Sequence, residues 1–326
     1  MTERVLITGG AGFVGLHLAR RLLTQGAEVV LLDDFSRGRR DDELLALQRH
    51  VTVVEHDLSR PLPDDLLSGS FDGVYHLAGV VGVARATQYP AQVLNVNLRA
   101  ALHVLDWCRR RQPGAVFLSS TSEVADGAAA LGLVDFPTSE DGPFALAAPA
   151  RPRASYALSK LVAEVLFRQC AHEFRVRVGR YHNIYGPRMG YEHVIPEFIE
   201  RGLGRLDPFP LYGATQTRAF CYIDDAVEAT VALMRLGTDE AVVANIGNDE
   251  EEIEIRRLAD RVVALCGYSP AMRVFDAPSG SPQRRLPDLT VLREATGYRP
   301  KVPLDEGLRL THAWYAAHRT PAEGRR

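Results

Sequence analysis

Residues 4–15 read R-V-L-I-T-G-G-A-G-F-V-G. Val5, Leu6 and Ile7 form a short apolar run of the kind that makes a buried strand. Thr8 and Gly9 end that run, and Gly9, Gly12 and Gly15 stand in a G-x-x-G-x-x-G array. An amphipathic helix follows, with Phe13 and Val14 in its first turn and Leu16, Leu18, Ala19, Leu22 and Leu23 at helical spacing. Strand, glycine turn and helix bring backbone N–H groups and the positive end of a helix dipole to one spot. Gly lets the backbone turn sharply and approach closely, so a pyrophosphate fits there. A glycine turn that binds nothing is the alternative, and the flanking strand and helix weigh against it.

An acidic partner follows. E-V-V-L-L at 28–32 reads as a second strand ending in Asp33-Asp34. Asp33 falls about 20 residues past the glycines, where a carboxylate hydrogen-bonds adenosine ribose hydroxyls. It also repels a 2′-phosphate, which favours NAD over NADP. Arg37, Arg39 and Arg40 lie close by and keep NADP open.

At 326 residues the chain has room for a large α/β domain and a smaller one. It is 46% hydrophobic and 24% charged with a net charge of −3, which gives no electrostatic reason to expect nucleic-acid or membrane-surface binding. No apolar run approaches the ~20 residues of a bilayer span. Strand 1 begins almost at Met1, which argues against a signal peptide. Cys108, Cys170, Cys221 and Cys266 are widely separated and lack C-x-x-C spacing. They read as reduced cysteines of a cytoplasmic protein, with no metal expected.

Buried-strand runs at 51–54, 73–76, 115–118 and 176–180 alternate with helix patterns near 90–111 and 155–174. That alternation predicts a Rossmann-type doubly wound parallel sheet. In such a sheet the ligand lies beyond the carboxyl ends of the strands. His56-Asp57-Leu58, His76-Leu77-Ala78-Gly79 and Ser119-Ser120-Thr121 fall at those ends, with Asp57 in reach of an adenine. Residues 125–154, rich in Ala, Gly and Pro, read as a lid or substrate loop. From about residue 187 a mixed pattern begins: helices at 195–202, 224–236 and 253–266 and a strand at 242–246. The predicted division is a dinucleotide-binding domain at 1–186 and a smaller mixed α/β substrate-binding lobe at 187–326, with some exchange of strands or helices between them. Residues 320–326 read as a frayed tail.

Tyr156 and Lys160 stand four residues apart at the start of a predicted helix, on one face. A buried ammonium near a phenol stabilises the phenolate, so this spacing predicts a Tyr with a lowered pKa. Such a Tyr can take a proton from a sugar hydroxyl. Y-x-x-x-K is a weak pattern alone and a strong one after a glycine fingerprint and an S-S-T strand end.

Taken together, G-G-A-G-F-V-G, Y-H-L-A-G, S-S-T-S-E-V, Y-A-L-S-K and Y-I-D-D resemble the extended short-chain dehydrogenase/reductases that act on nucleotide sugars. The resemblance runs over roughly residues 4–316. It implies tightly held NAD, a transient 4-keto sugar and a nucleotide-diphosphate sugar as substrate. Gly9, Gly12, Gly15, Asp33 and Asp57 match NAD positions; Ala78 and the Asn97 helix match segments flanking the nicotinamide half. Thr121, Tyr156 and Lys160 match the catalytic Thr, Tyr and Lys. Asn183 matches a diphosphate contact, and Arg218 and Arg285 match phosphate- or substrate-side arginines, a role that suits the guanidinium fork.

Within the family, Ser122 and Glu123 discriminate between reactions. Simple 4-epimerases usually carry a small or hydroxyl side chain at position 123, whereas dTDP-glucose-type 4,6-dehydratases carry Asp-Glu at the pair. Thr-Ser-Glu with a later Q-x-R-x-P-D resembles the UDP-glucuronate decarboxylases. The resemblance implies that Tyr156 takes the C4 hydroxyl proton and that Glu123 and Arg285 orient the sugar while carbon dioxide leaves C5. A C4 epimerase and a non-enzymatic NAD-binding scaffold are the alternatives; intact Thr121, Tyr156 and Lys160 argue against the scaffold. The chain departs from the pattern at Ala125-Asp126, where the family has Tyr-Gly, and at 189–196. The helices at 90–111 and 155–174 resemble the family's dimerisation helices, so a homodimer is expected.

Overall fold

The computed structural model describes residues 2–148 and 151–319. Seven strands form the central sheet: β1 (Arg4–Thr8), β2 (Glu28–Asp33), β3 (Thr52–Glu55), β4 (Gly73–His76), β5 (Ala115–Thr121), β6 (Arg175–Tyr181) and β7 (Val242–Ile246). All neighbouring pairs are parallel, in the order β7-β6-β5-β4-β1-β2-β3. The order reverses at β1, between β2 and β4, and that switch point opens a crevice at the strands' carboxyl ends.

Side chains alternate between the two faces, as a strand requires. Val5 and Ile7 of β1 enter a core shared with α1 (Phe13–Thr24) and the C-terminal half of the chain. Leu6 enters a second core with α2 (Pro90–Arg111) and α3 (Ala154–Gln169), through residues such as Val104, Trp107 and Phe167. Both faces of the sheet are covered, which is why its strands read as continuous apolar runs. Among the described residues no helix is long and apolar enough to cross a membrane.

The C-terminal half contributes β7 to the main sheet, beside β6, and α4 (Ile223–Met234) to one of its faces. Three small sheets carry the rest of it, including the pairing of Thr217–Ala219 with Glu252–Glu254 and Arg284–Arg285. The segment read as one loop at 125–154 is not uniform: a 3-10 turn at Ser122–Ala125 runs into a short helix at Asp126–Ala130. The run D-G-A-A-A has the helix propensity of its alanines, which the Gly and Pro content of the longer segment obscured. The predicted tail at 320–326 lies outside the described residues.

Candidate active site

A cleft of about 570 Å³ opens at the switch point. Its floor is the glycine turn. Gly12 caps α1 with no side-chain hydrogen bond, so the first-turn N–H groups behind Phe13, Val14 and Gly15 keep no side-chain acceptor. Gly15 is required by packing: a Cβ there would lie 2.3 Å from the Gly9 carbonyl oxygen. Asp33 links this turn to the end of β2, its carboxylate accepting from the N–H groups of Ala11 at 3.0 Å and Phe35 at 2.9 Å. Burial raises its pKa, and those two hydrogen bonds oppose the rise.

Gly9, Gly12, Phe13, Val14, Gly15 and Asp33 all line the cleft. Asp57, Leu58 and Ala78 line it from the ends of β3 and β4, and Thr121, Tyr156 and Lys160 from β5 and α3. An uncapped helix N-terminus, a close backbone approach and a carboxylate at the end of β2 fit a dinucleotide. Of the basic residues that keep a 2′-phosphate open, Arg37 and Arg39 line this cleft and Arg40 does not. Arg37 donates to the Val81 carbonyl, Arg39 lies over the Tyr191 ring, and Arg40 pairs with Glu55.

At the reactive end Tyr156 shares a hydrogen bond with the Thr121 side chain. The expected effect of Lys160 on the phenol is not what the geometry gives. The Lys160 ammonium donates to the Ser119 carbonyl at 3.0 Å and lies 3.4 Å from the Ser119 hydroxyl. Its pKa is lowered to about 8 by burial, opposed by Glu164 one helical turn on. Burial pushes the Tyr156 phenol up and Glu123 adds to the rise, while Thr121, Arg285 and Arg37 oppose it. Arg285 and Arg37 act electrostatically on the phenol, while the buried Lys160 ammonium donates to the end of β5.

Six of the sequence-derived positions do not line this cleft. Asn97 is buried and holds the loop after β4, its amide bonded to the Val80 N–H at 2.7 Å, the Val80 carbonyl at 3.1 Å and Ser159 at 3.2 Å. Asn183 donates to the Ala219 carbonyl at 2.9 Å. Arg218 is buried and donates to the carbonyls of Thr217 at 2.7 Å and Pro282 at 2.6 Å; burial lowers its pKa to about 10. Ser122 is buried in the 3-10 turn. Glu123 and Arg285 lie next to each other, Arg285 Nη2 being 3.6 Å from Glu123 Oε1, and both act electrostatically on Tyr156.

Other groups at the site carried no assigned role from the sequence. Arg188 braces the glycine turn, its guanidinium donating to the carbonyls of Ala11 and Gly12, a long-range contact that no local pattern marks. Arg153 donates to Glu123 at 3.2 Å. Beneath β5, Glu164 pairs with Arg180 at 2.8 Å, accepts from Ser120 and is almost wholly buried.

Residues 5–247 match the NAD dependent epimerase/dehydratase family. The chain belongs to that family. Its cofactor is accordingly NAD, and the glycine turn, Asp33 and the first turn of α1 are the parts of the cleft suited to hold it. Among members of this epimerase/dehydratase family, the chain is 33% identical to a UDP-N-acetyl-alpha-D-glucosaminuronate decarboxylase of Bacillus cytotoxicus, over 97% of this chain and 98% of the relative. It is 35% identical to UDP-glucuronic acid decarboxylase 1 of Xenopus tropicalis, over 95% of this chain and 71% of the relative. A solved structure of MoeE5 with UDP-glucuronic acid and NAD superposes with a TM-score of 0.82 at 26% identity, covering 96% of this chain and 99% of that one.

Proposed function

We propose that the protein decarboxylates UDP-glucuronate to a UDP-pentose through a transient 4-keto sugar. The observation that carries this reading is Glu123, placed at the end of β5 between Arg153 and Arg285 and close enough to act on Tyr156. Interconverting two C4 epimers gives no clear work to such a carboxylate, whereas removing carbon dioxide and returning a proton at C5 does. The uronate-sugar decarboxylases among the relatives, and a related structure holding UDP-glucuronic acid, support it.

The assigned roles follow from position. Tyr156 accepts the C4 hydroxyl proton, with Thr121 fixing the direction of its oxygen. NAD supplies oxidation at C4 and later the reverse reduction. A ketone at C4 makes the C6 carboxylate a β-keto acid. The C5–C6 bond then breaks, carbon dioxide leaves, and the electron pair delocalises into the ketone until a proton is added at C5. Glu123 and Arg285 orient the sugar and manage that proton, and Tyr156 finally returns its proton to the C4 oxygen. Lys160 maintains positive charge at the end of β5. Ser122 supports the turn that carries Glu123, while Asn183 and Arg218 brace the strand-to-loop segments on the diphosphate side.

The test is incubation with UDP-glucuronate and mass analysis of the products. Release of carbon dioxide with a UDP-pentose is expected. A product of unchanged mass with inverted C4 would replace this reading with the epimerase one, and an NAD-loaded protein inert toward a panel of nucleotide sugars would favour a scaffold.

We also propose a homodimer formed through α2 and α3, which pack side by side and expose Leu102 and Val165 on their outer faces. Sedimentation equilibrium checks it, and a monomer at micromolar concentration would refute it. The separated, unpaired cysteines favour a cytoplasmic location, which cell fractionation tests.

A further inference from the structure

Arg285 reaches across the fold to a carboxylate 159 positions away in the chain. Its Nε donates to Asp126 Oδ1 at 3.3 Å and its Nη2 to Asp126 Oδ2. One carboxylate thus holds one edge of the guanidinium, the side-on fork that fixes the plane of an arginine. The same Nη2 lies 3.6 Å from Glu123, and Glu123 accepts from Arg153 at 3.2 Å. The result is a chain of alternating charge, Asp126–Arg285–Glu123–Arg153. Its side chains are between 14% and 24% exposed, well removed from bulk water.

The backbone holds Asp126 in place. It opens the helix Asp126–Ala130, and a Cβ on the next residue, Gly127, would sit 1.8 Å from the Ala145 carbonyl oxygen. Any side chain at 127 would therefore drive this helix off the segment around residue 145. Asp126 is presented to Arg285 by a turn packed closely against the backbone at Ala145 and Ala147.

We propose that Asp126 is a positioning residue for the reaction: it grips one edge of the Arg285 guanidinium so that Arg285 faces Glu123 and the bound sugar in a single orientation. This role rests on the reading of the site as a nucleotide-sugar centre. In this role Asp126 acts through Arg285. It also acts electrostatically on Arg218 and His182. The groups facing Tyr156 are Glu123, Arg285, Arg37 and Thr121, with Lys160 on its own helix. Loss of the Asp126 charge leaves Arg285 less compensated, which favours the Tyr156 phenolate and moves the acidic limb of the rate profile to lower pH.

The experiment compares NAD-loaded wild type, Asp126→Asn and Asp126→Glu. For Asp126→Asn, kcat should fall about 10–100-fold from misorientation, with KM little changed and the acidic limb of kcat/KM displaced to lower pH. Asp126→Glu should recover part of the loss. A lower KM with kcat retained would show that Asp126 competes with the sugar for Arg285, and overturns the proposal. So does a loss of kcat with the pH limb unmoved, or kinetics equal to wild type. Nitrogen-15 spectra of the guanidinium, assigned with Arg285→Lys, give a readout that needs no turnover. Hindered rotation of Arg285 in wild type that is lost in Asp126→Asn is expected, and identical spectra overturn the proposal. If wild type fails to turn over UDP-glucuronate, the proposed reaction falls while these spectra still decide the role of Asp126.

Discussion

Arg188, from the C-terminal half of the chain, pairs with Asp41, from the segment after β2, at 2.8 Å. The same guanidinium donates to the carbonyls of Ala11 at 2.9 Å and Gly12 at 3.1 Å, inside the glycine turn. The turn that receives the dinucleotide is thus braced by a residue that follows it by more than 170 positions. The pair also holds the Asp41 carboxyl below its usual range.

Arg188→Ala leaves buried carbonyls of the glycine turn without their donor, at a cost of about 1–3 kcal/mol for each unsatisfied group. The variant should unfold at lower denaturant concentration and release NAD faster. Denaturation curves and the nucleotide retained through gel filtration check both, and wild-type behaviour in both would remove Arg188 from the site.

Tyr156→Phe removes the proposed base and its hydrogen bond to Thr121 while keeping the ring. Turnover should fall by ~10²–10⁴, the usual contribution of a positioned acid–base group. Bound nucleotide and melting temperature should stay close to wild type. Retained turnover contradicts the assignment.

Asp33 holds the glycine turn through Ala11 and the following turn through Phe35. Nucleotide released from purified protein by denaturation should be NAD, because a carboxylate here repels a 2′-phosphate. Asp33→Ala should lower NAD content by loosening both turns. An extract dominated by NADP would contradict the reading of the cleft.

The buried Lys160 makes a stability prediction with a definite sign. Its pKa is lowered from 10.5 to about 8. Between those values the unfolded chain binds more protons than the folded one, so this group's contribution to unfolding free energy rises with pH. Lys160→Met lacks that contribution. The variant's stability advantage over wild type below the folded value should shrink as pH is raised through the window. A difference independent of pH would show that the ammonium is not held in a depressed state.

Glu123→Gln keeps the shape and removes the charge between Arg153 and Arg285. Oxidation at C4 should survive in part while the later step stalls, so NADH absorbance should accumulate during incubation with UDP-glucuronate. If NADH never accumulates and product forms at the wild-type rate, Glu123 is a structural residue.

Part of this molecule is legible because it is local. The apolar run at Val5–Ile7, the glycine spacing and the amphipathic α1 specify a strand, a turn and a helix through nearest-neighbour sterics and periodicity. The later strand and helix patterns then leave a doubly wound sheet as their packing solution. Tyr156 and Lys160 share a helix face because four residues make about one turn. Tertiary structure decided what these groups touch. Lys160 donates to Ser119, and arginines from distant segments act electrostatically on the Tyr156 phenol. Asn183 and Arg218 match substrate positions by motif, while the carbonyls they donate to, those of Ala219 and Pro282, are set by which segments the fold brings beside them. Asp126 was visible only as a departure from a motif; its hold on Arg285 exists because the chain brings residues 159 apart together. Pairing of charges across such separations depends on which surfaces pack against one another, and no local pattern of residues encodes that.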